Sequence, residues 1–148
     1  MNVSRSNSEM GKETMFMSER QADRDVSVLL VEDSAVLAER LRELLETIGG
    51  ANLTGVVDNE RAAVEAVGGG EIDVILLDLR LRQGTGFGVM RSIGKFAHRP
   101  VIIVLTNYDL AEYRLAATAL GAEFFLDKAR DMDQLPGLIG TIRERMKH

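Results

Sequence analysis

Five short apolar runs, each followed by a stretch in which apolar residues recur at helical spacing, constrain this chain more than any other feature. The first run is Val26-Ser27-Val28-Leu29-Leu30-Val31, apolar on both faces as a buried parallel strand must be. Leu37, Leu41, Leu44, Leu45 and Ile48 follow as one helical stripe that stops at Gly49-Gly50. Residues 53–57 read as a second strand, and Asp58 or Asn59 can cap a helix carrying Ala62, Ala63, Ala66 and Val67, ended by Gly68-Gly69-Gly70. Residues 73–77 form the third strand. A glycine-rich loop over residues 84–88 then leads to a helix over 89–96. The fourth strand spans 101–105, and Asp109 to Glu112 has capping-box spacing before a helix ending at Leu120-Gly121. Residues 123–126 are the fifth strand, and Leu135, Leu138, Ile139, Ile142 and Met146 mark the last helix, which tolerates Pro136 in its first turn. Strictly alternating strands and helices predict an α/β fold: a parallel sheet covered on both faces through right-handed crossovers.

Length and composition set the frame. At 148 residues and 45% hydrophobic content the chain has room for one domain with a real core. The absence of cysteine excludes disulfides and thiolate metal sites, and makes the cytoplasm the expected compartment. No apolar stretch approaches the ~20 residues a membrane helix needs, so no membrane contact is expected. The net charge of −5 argues against a nucleic-acid partner, which requires clustered Lys and Arg. Residues 1–25, rich in Ser and Asn with mixed charges, carry no period that could bury a face and read as a flexible N-terminal extension, leaving 26–148 as the domain.

Ligands of such sheets bind at the carboxyl ends of the strands. The residues there are Glu32 and Asp33 after the first strand, Asp78 after the third, Thr106 and Asn107 after the fourth, and Asp127 and Lys128 after the fifth. Carboxylates crowded into a partly desolvated cleft repel one another, and a divalent cation relieves the conflict. Oxygen ligands in an incomplete cage suit Mg²⁺, with Mn²⁺ as a substitute. Lys128 can pair with Asp78 and then with a phosphoryl oxygen, and Thr106 can donate to another. Together they suit phosphoryl transfer onto a carboxylate nucleophile. A lone aspartate after a strand is more often a turn residue, and Lys128 alone could be a solvated surface lysine; the company each keeps favours the site.

Val28-Leu29-Leu30-Val31-Glu32-Asp33-Ser34, Val74-Ile75-Leu76-Leu77-Asp78-Leu79-Arg80-Leu81, Ile102-Ile103-Val104-Leu105-Thr106 and Phe124-Phe125-Leu126-Asp127-Lys128, in this order, resemble the four signature segments of response-regulator receiver domains. The resemblance covers the chain from about Asp25 onward. It implies a flavodoxin-like, doubly wound (βα)5 sandwich with strand order 2-1-3-4-5. It implies Asp78 as phosphoacceptor, Asp33 as direct metal ligand, Glu32 as a ligand through water, and the backbone carbonyl of Arg80 as a further ligand. Thr106 and Phe125 would be the switch pair, although Phe125 reads equally well as a core aromatic. The implied partners are a histidine kinase or histidine phosphotransfer protein upstream and an output protein downstream. With no output domain expected after the fifth helix, a stand-alone switch would work through protein contacts, or through a homodimer formed by the fourth helix, fifth strand and fifth helix. Beyond transfer to its own aspartate and slow self-dephosphorylation, no enzymatic activity is expected.

Three departures from the family pattern qualify this reading. Arg82 stands where the family usually has proline, which predicts a reshaped loop, although Gly86 keeps the later glycine. Ala129 follows the lysine where a proline with a cis bond is usual, and a cis bond without proline costs ~3 kcal/mol. Arg80 and Tyr108 are large enough to shield an acyl phosphate from water. The alternatives are a degenerate receiver used only for binding or dimerisation, and a Mg²⁺-dependent phosphohydrolase, which would need a second aspartate where Arg80 stands. Gly84, Gly86 and Gly88 could suggest a phosphate loop, but no dinucleotide fingerprint or Lys-Ser/Thr pair completes it.

Overall fold

The structure, a computed structural model, describes residues 24–107 and 110–147. Strands β1 (Val26–Val31), β2 (Ala51–Val57), β3 (Val74–Asp78), β4 (Val101–Thr106) and β5 (Ala122–Asp127) alternate with helices α1 (Ala35–Thr47), α2 (Glu60–Gly69), α3 (Gly86–Ile93), α4 (Ala111–Ala119) and α5 (Leu135–Met146). A short 3₁₀ turn, Met132–Gln134, precedes α5. All strand pairs are parallel, in the order β2-β1-β3-β4-β5. The α/β class and strand order thus agree with the sequence reading.

The period-2 alternation of the strands separates two cores. Val26, Val28 and Leu30 of β1 face Leu41 and Leu45 of α1 and Ile139 and Ile142 of α5. Leu29 and Val31 face the opposite layer, with Ala63, Val67, Val89, Met90, Ile93 and Ala117 from α2, α3 and α4. Strands β1 and β3 are buried along their whole length, which explains their unbroken apolar sequences. Edge strand β2 is only partly buried.

The helix entries follow side-chain chemistry where a capping residue exists. The Ser34 hydroxyl accepts from Leu37 N and Asn59 Oδ1 from Ala62 N, so Asn59 rather than Asp58 caps α2. Thr85 Oγ1 accepts from Gly88 N and starts α3 at Gly86, three residues before the helix anticipated at 89–96, which also ends earlier, at Ile93. Gly86 and Gly88, read as loop, belong to its first turn, and Gly84 stays outside it. Helix α4 starts after Leu110, which offers no side-chain cap, one position later than the Asp109 box requires; Asp109 itself lies outside the described residues. Strand β2 begins at Ala51, two residues earlier than read, because β1 pairs with Ala51 and Asn52 despite their weak strand signal.

Of the extension read as residues 1–25, all but Arg24 and Asp25 lie outside the described residues. Arg24 is tied to the domain. Its guanidinium bonds both oxygens of Asp73, at 2.7 and 3.0 Å. Among the described residues no helix is long and apolar enough to cross a membrane.

Candidate functional site

Parallel strands β1, β3, β4 and β5 end on one edge of the sheet, and the residues leaving them meet there. Lys128 Nζ lies 2.7 Å from Glu32 Oε1 and 2.9 Å from Asp78 Oδ2, with all three side chains at least nine-tenths buried. The reading of Lys128 as a solvated surface residue is therefore excluded. Its backbone amide donates to Thr106 O at 2.8 Å, which ties the end of β5 to the end of β4.

The acidic side chains are held by amides of the loops they start. Glu32 Oε2 accepts Ser34 N at 3.0 Å, and Asp78 Oδ1 accepts Arg80 N at 3.1 Å. Burial holds the Glu32 carboxyl above the usual carboxylate range, against the pull of Lys128 and the Ser34 amide. Burial alone would lower the Lys128 ammonium, but its contacts with Glu32 and Asp78 win and hold it above the usual lysine range.

Oxygen atoms of Glu32, Asp33 and Asp78 all lie within 4.8 Å of one another. Two carboxylates that close repel by roughly 3 kcal/mol at an effective dielectric of about 20. Three carboxylates against the one ammonium of Lys128 leave a charge of −3 + 1 = −2 when all are ionised. Glu32 Oε1 is buried against the Lys128 ammonium, 2.7 Å away. An all-oxygen cluster of three carboxylates around one ammonium, with two negative charges in excess when all are ionised, fits a hard divalent cation.

Glu32, Asp33, Asp78, Arg80, Thr106, Asn107 and Lys128 line one cleft of about 510 Å³. Tyr113 from α4 lines it too, a residue that periodicity and motif do not single out. Two anticipated residues are placed elsewhere. The Asp127 carboxylate turns away to accept the amides of Ala129 and Arg130 and so shapes the turn after β5. Phe125, half-buried, packs against the α2–α3–α4 core with the Arg114 guanidinium 4.5 Å above its ring. Tyr108, proposed as a shield, lies outside the described residues.

The departures at Arg82 and Ala129 have structural counterparts. No peptide bond among the described residues is cis, so Lys128-Ala129 is trans. The loop after β3 is stitched to the loop after β2: Arg82 N donates to Asp58 O at 3.2 Å, a bond proline could not make, and Arg82 Nε lies 3.4 Å from Asp58 Oδ2.

Comparison with known proteins places this edge in context. A family model described as the response regulator receiver domain matches residues 28–139. The transcriptional regulatory protein YdfI of Bacillus subtilis is 32% identical over 108 residues, covering 73% of this chain and 50% of that protein. A protein-glutamate methylesterase/protein-glutamine glutaminase of Symbiobacterium thermophilum is 34% identical over 115 residues, covering 76% of this chain and 31% of its own length. The chain thus spans half or less of these two relatives. The receiver domain of Francisella response regulator 1452 matches the fold with a TM-score of 0.75 at 21% identity, covering 83% of this chain and 100% of that one. The signal receiver domain of a Luxo repressor protein from Vibrio parahaemolyticus does so with a TM-score of 0.75 at 26% identity, covering 83% and 93%.

Proposed function

The chain belongs to the response regulator receiver domain family, and we propose that it is a phosphorylation switch in which Asp78 takes a phosphoryl group from a histidine kinase or histidine phosphotransfer protein. The observation that carries this reading is the buried Lys128 ammonium held between Glu32 and Asp78 at the carboxyl edge of the sheet. A structural ion pair needs two partners; here one cation serves two carboxylates with a third beside them, at the mouth of a cleft.

In this reading Asp33, Asp78 and the Arg80 backbone carbonyl, with Glu32 through water, would hold Mg²⁺ or Mn²⁺. The bound cation would neutralise charge on the phosphoryl oxygens during transfer. A carboxylate oxygen of Asp78 attacks phosphorus as the P–N bond of the donor phosphohistidine breaks, and the electron pair of that bond returns to the donor imidazole. Lys128, released from part of its contact with Asp78, pairs with a phosphoryl oxygen, and the Thr106 hydroxyl donates to another. Movement of Thr106 toward the new group, with Phe125 following, would change the face formed by α4, β5 and α5. An output protein, or a second copy of the chain, would read that change. The compartment is the cytoplasm, where such donors act, and no catalysis beyond the chemistry of Asp78 is part of this reading.

The reading is tested with phosphoramidate, a small P–N donor, in the presence and absence of Mg²⁺, followed by borohydride reduction. Reduction converts an aspartyl phosphate to homoserine, so homoserine at position 78 only in the Mg²⁺ sample supports the proposal. Its absence while the protein binds Mg²⁺ and stays folded favours a receiver used only for binding.

A further inference from the structure

The loop that carries Arg80 is gripped from outside by a residue that neither the sequence nor the cleft singles out. Glu60 is the first residue of α2, yet its Oε1 accepts the Thr85 amide at 3.1 Å, across 25 residues of sequence. Its carboxylate fills the space that side chains at two glycines would need. A Cβ on Gly88 would stand 2.1 Å from Oε1 and 2.4 Å from the carboxyl carbon, and one on Gly84, where φ is +83°, would stand 2.4 Å from the Glu60 Cβ. Glycine at 84 and 88 leaves room for this carboxylate at the amino end of α3, where the helix dipole favours negative charge, and the positive φ at Gly84 favours glycine in its own right.

The grip reaches the site through the backbone. Thr85 bridges to Arg80 across the turn, and Gly86 N donates to Leu79 O at 3.0 Å. Arg80 N in turn donates to Asp78 Oδ1. Glu60 N also donates to Gln83 O at 3.0 Å, so the same residue holds the turn by main chain and side chain together.

We propose that Glu60 is a positioning residue for the Asp78 site: seated on Gly84 and Gly88 and accepting the Thr85 amide, it holds the turn of residues 79–86 in the shape that presents the Arg80 backbone to the divalent cation. This rests on the function proposed above. The glycines, which resemble an incomplete phosphate loop in sequence, serve a carboxylate of the protein itself.

The experiment compares the wild-type 148-residue chain with Glu60→Ala, Glu60→Gln, Gly88→Ala and the Glu60→Ala/Gly88→Ala double variant. Mn²⁺ affinity is read by electron paramagnetic resonance, and amide exchange over residues 83–88 is read without any cation. Expected are a fivefold or greater loss of Mn²⁺ affinity and faster 83–88 exchange in Glu60→Ala. Glu60→Gln, which keeps an acceptor oxygen, should stay within twofold of wild type. Gly88→Ala, which displaces the carboxylate while favouring the helix, should lose cation affinity without losing thermal stability, an outcome that a purely structural role does not give. The double variant should be no weaker than the weaker single, since both remove the same contact. Mn²⁺ affinity within twofold of wild type in Glu60→Ala and Gly88→Ala, or fully additive losses, would overturn the proposal. Wild type that binds Mn²⁺ but accepts no phosphoryl group overturns the function reading and leaves the affinity series to decide this one; wild type that binds no Mn²⁺ overturns both.

Discussion

The ammonium of Lys128 sits 2.9 Å from Oδ2 of Asp78, with only 7% and 8% of the two side chains exposed. Both charges are withdrawn from water at the sheet edge, and neither is dispensable to the other. Removing one partner of such a pair leaves an uncompensated buried charge and costs about 3–5 kcal/mol. Lys128→Met should therefore lower stability in urea by about that amount. Saturating Mg²⁺ should restore part of it in the variant and less in wild type. A variant as stable as wild type without Mg²⁺ would mean that the cluster is not charged as described.

Asp73 offers a pH test far from the cation site. Burial alone would raise its pKa, but bonds from the Arg24 guanidinium, Ser27 N and Ser27 Oγ outweigh it and hold the carboxyl below the usual range. A carboxyl depressed in the folded state contributes stability that is fully present above its unfolded pKa, near 3.8, and is lost as pH falls through the lower folded value. Asp73→Asn should cost about 1–3 kcal/mol at pH 7, the range for an unmade buried bond. The gap from wild type should shrink as pH falls below about 4. A gap independent of pH would show that Asp73 acts through shape alone.

Gly86 tests the close approach behind the acceptor. A Cβ there would stand 2.5 Å from Asp78 O and 2.9 Å from Leu79 Cα, both main-chain atoms that cannot swing aside. Gly86→Ala should cost about 1–3 kcal/mol despite the helix propensity of alanine, and should weaken Mg²⁺ binding with it. Gly49→Ala, where a Cβ meets nothing within 4 Å, is the control and should change Mg²⁺ binding by less than twofold.

Arg114 tests the placement of Phe125. Its guanidinium carbon lies 4.5 Å from the ring centroid, in cation–π contact across α4 and β5. Arg114→Ala should cost about 0.5–1 kcal/mol and sharpen or shift the Phe125 ring resonances. Unchanged ring resonances would show that the contact does not hold the ring.

These residues also show where sequence was sufficient. Strands β1, β3 and β4 were legible because burial on both faces leaves unbroken apolar runs, and the cleft residues follow from the carboxyl ends of those runs. Edge strand β2 was legible only in part, since Ala51 and Asn52 join it by pairing with β1 rather than by their own preference. Helix α3 is legible as an element, but its start reads three residues late because Gly86 and Gly88 have poor helix propensity, and the main chain that leaves no room for a side chain at Gly86, Asp78 O and Leu79 Cα, lies outside any local window. Glu60, Tyr113 and the Arg24–Asp73 pair carried no signal, because each acts across a distance in sequence that periodicity does not see.

The most direct test of the central claim is intact-mass spectrometry of the wild type and of Asp78→Asn after treatment with acetyl phosphate, with and without Mg²⁺. The account predicts a gain of one phosphoryl group, about 80 Da, in the wild type with Mg²⁺ and in no other sample. An equal gain in Asp78→Asn, or a gain independent of Mg²⁺, would contradict it.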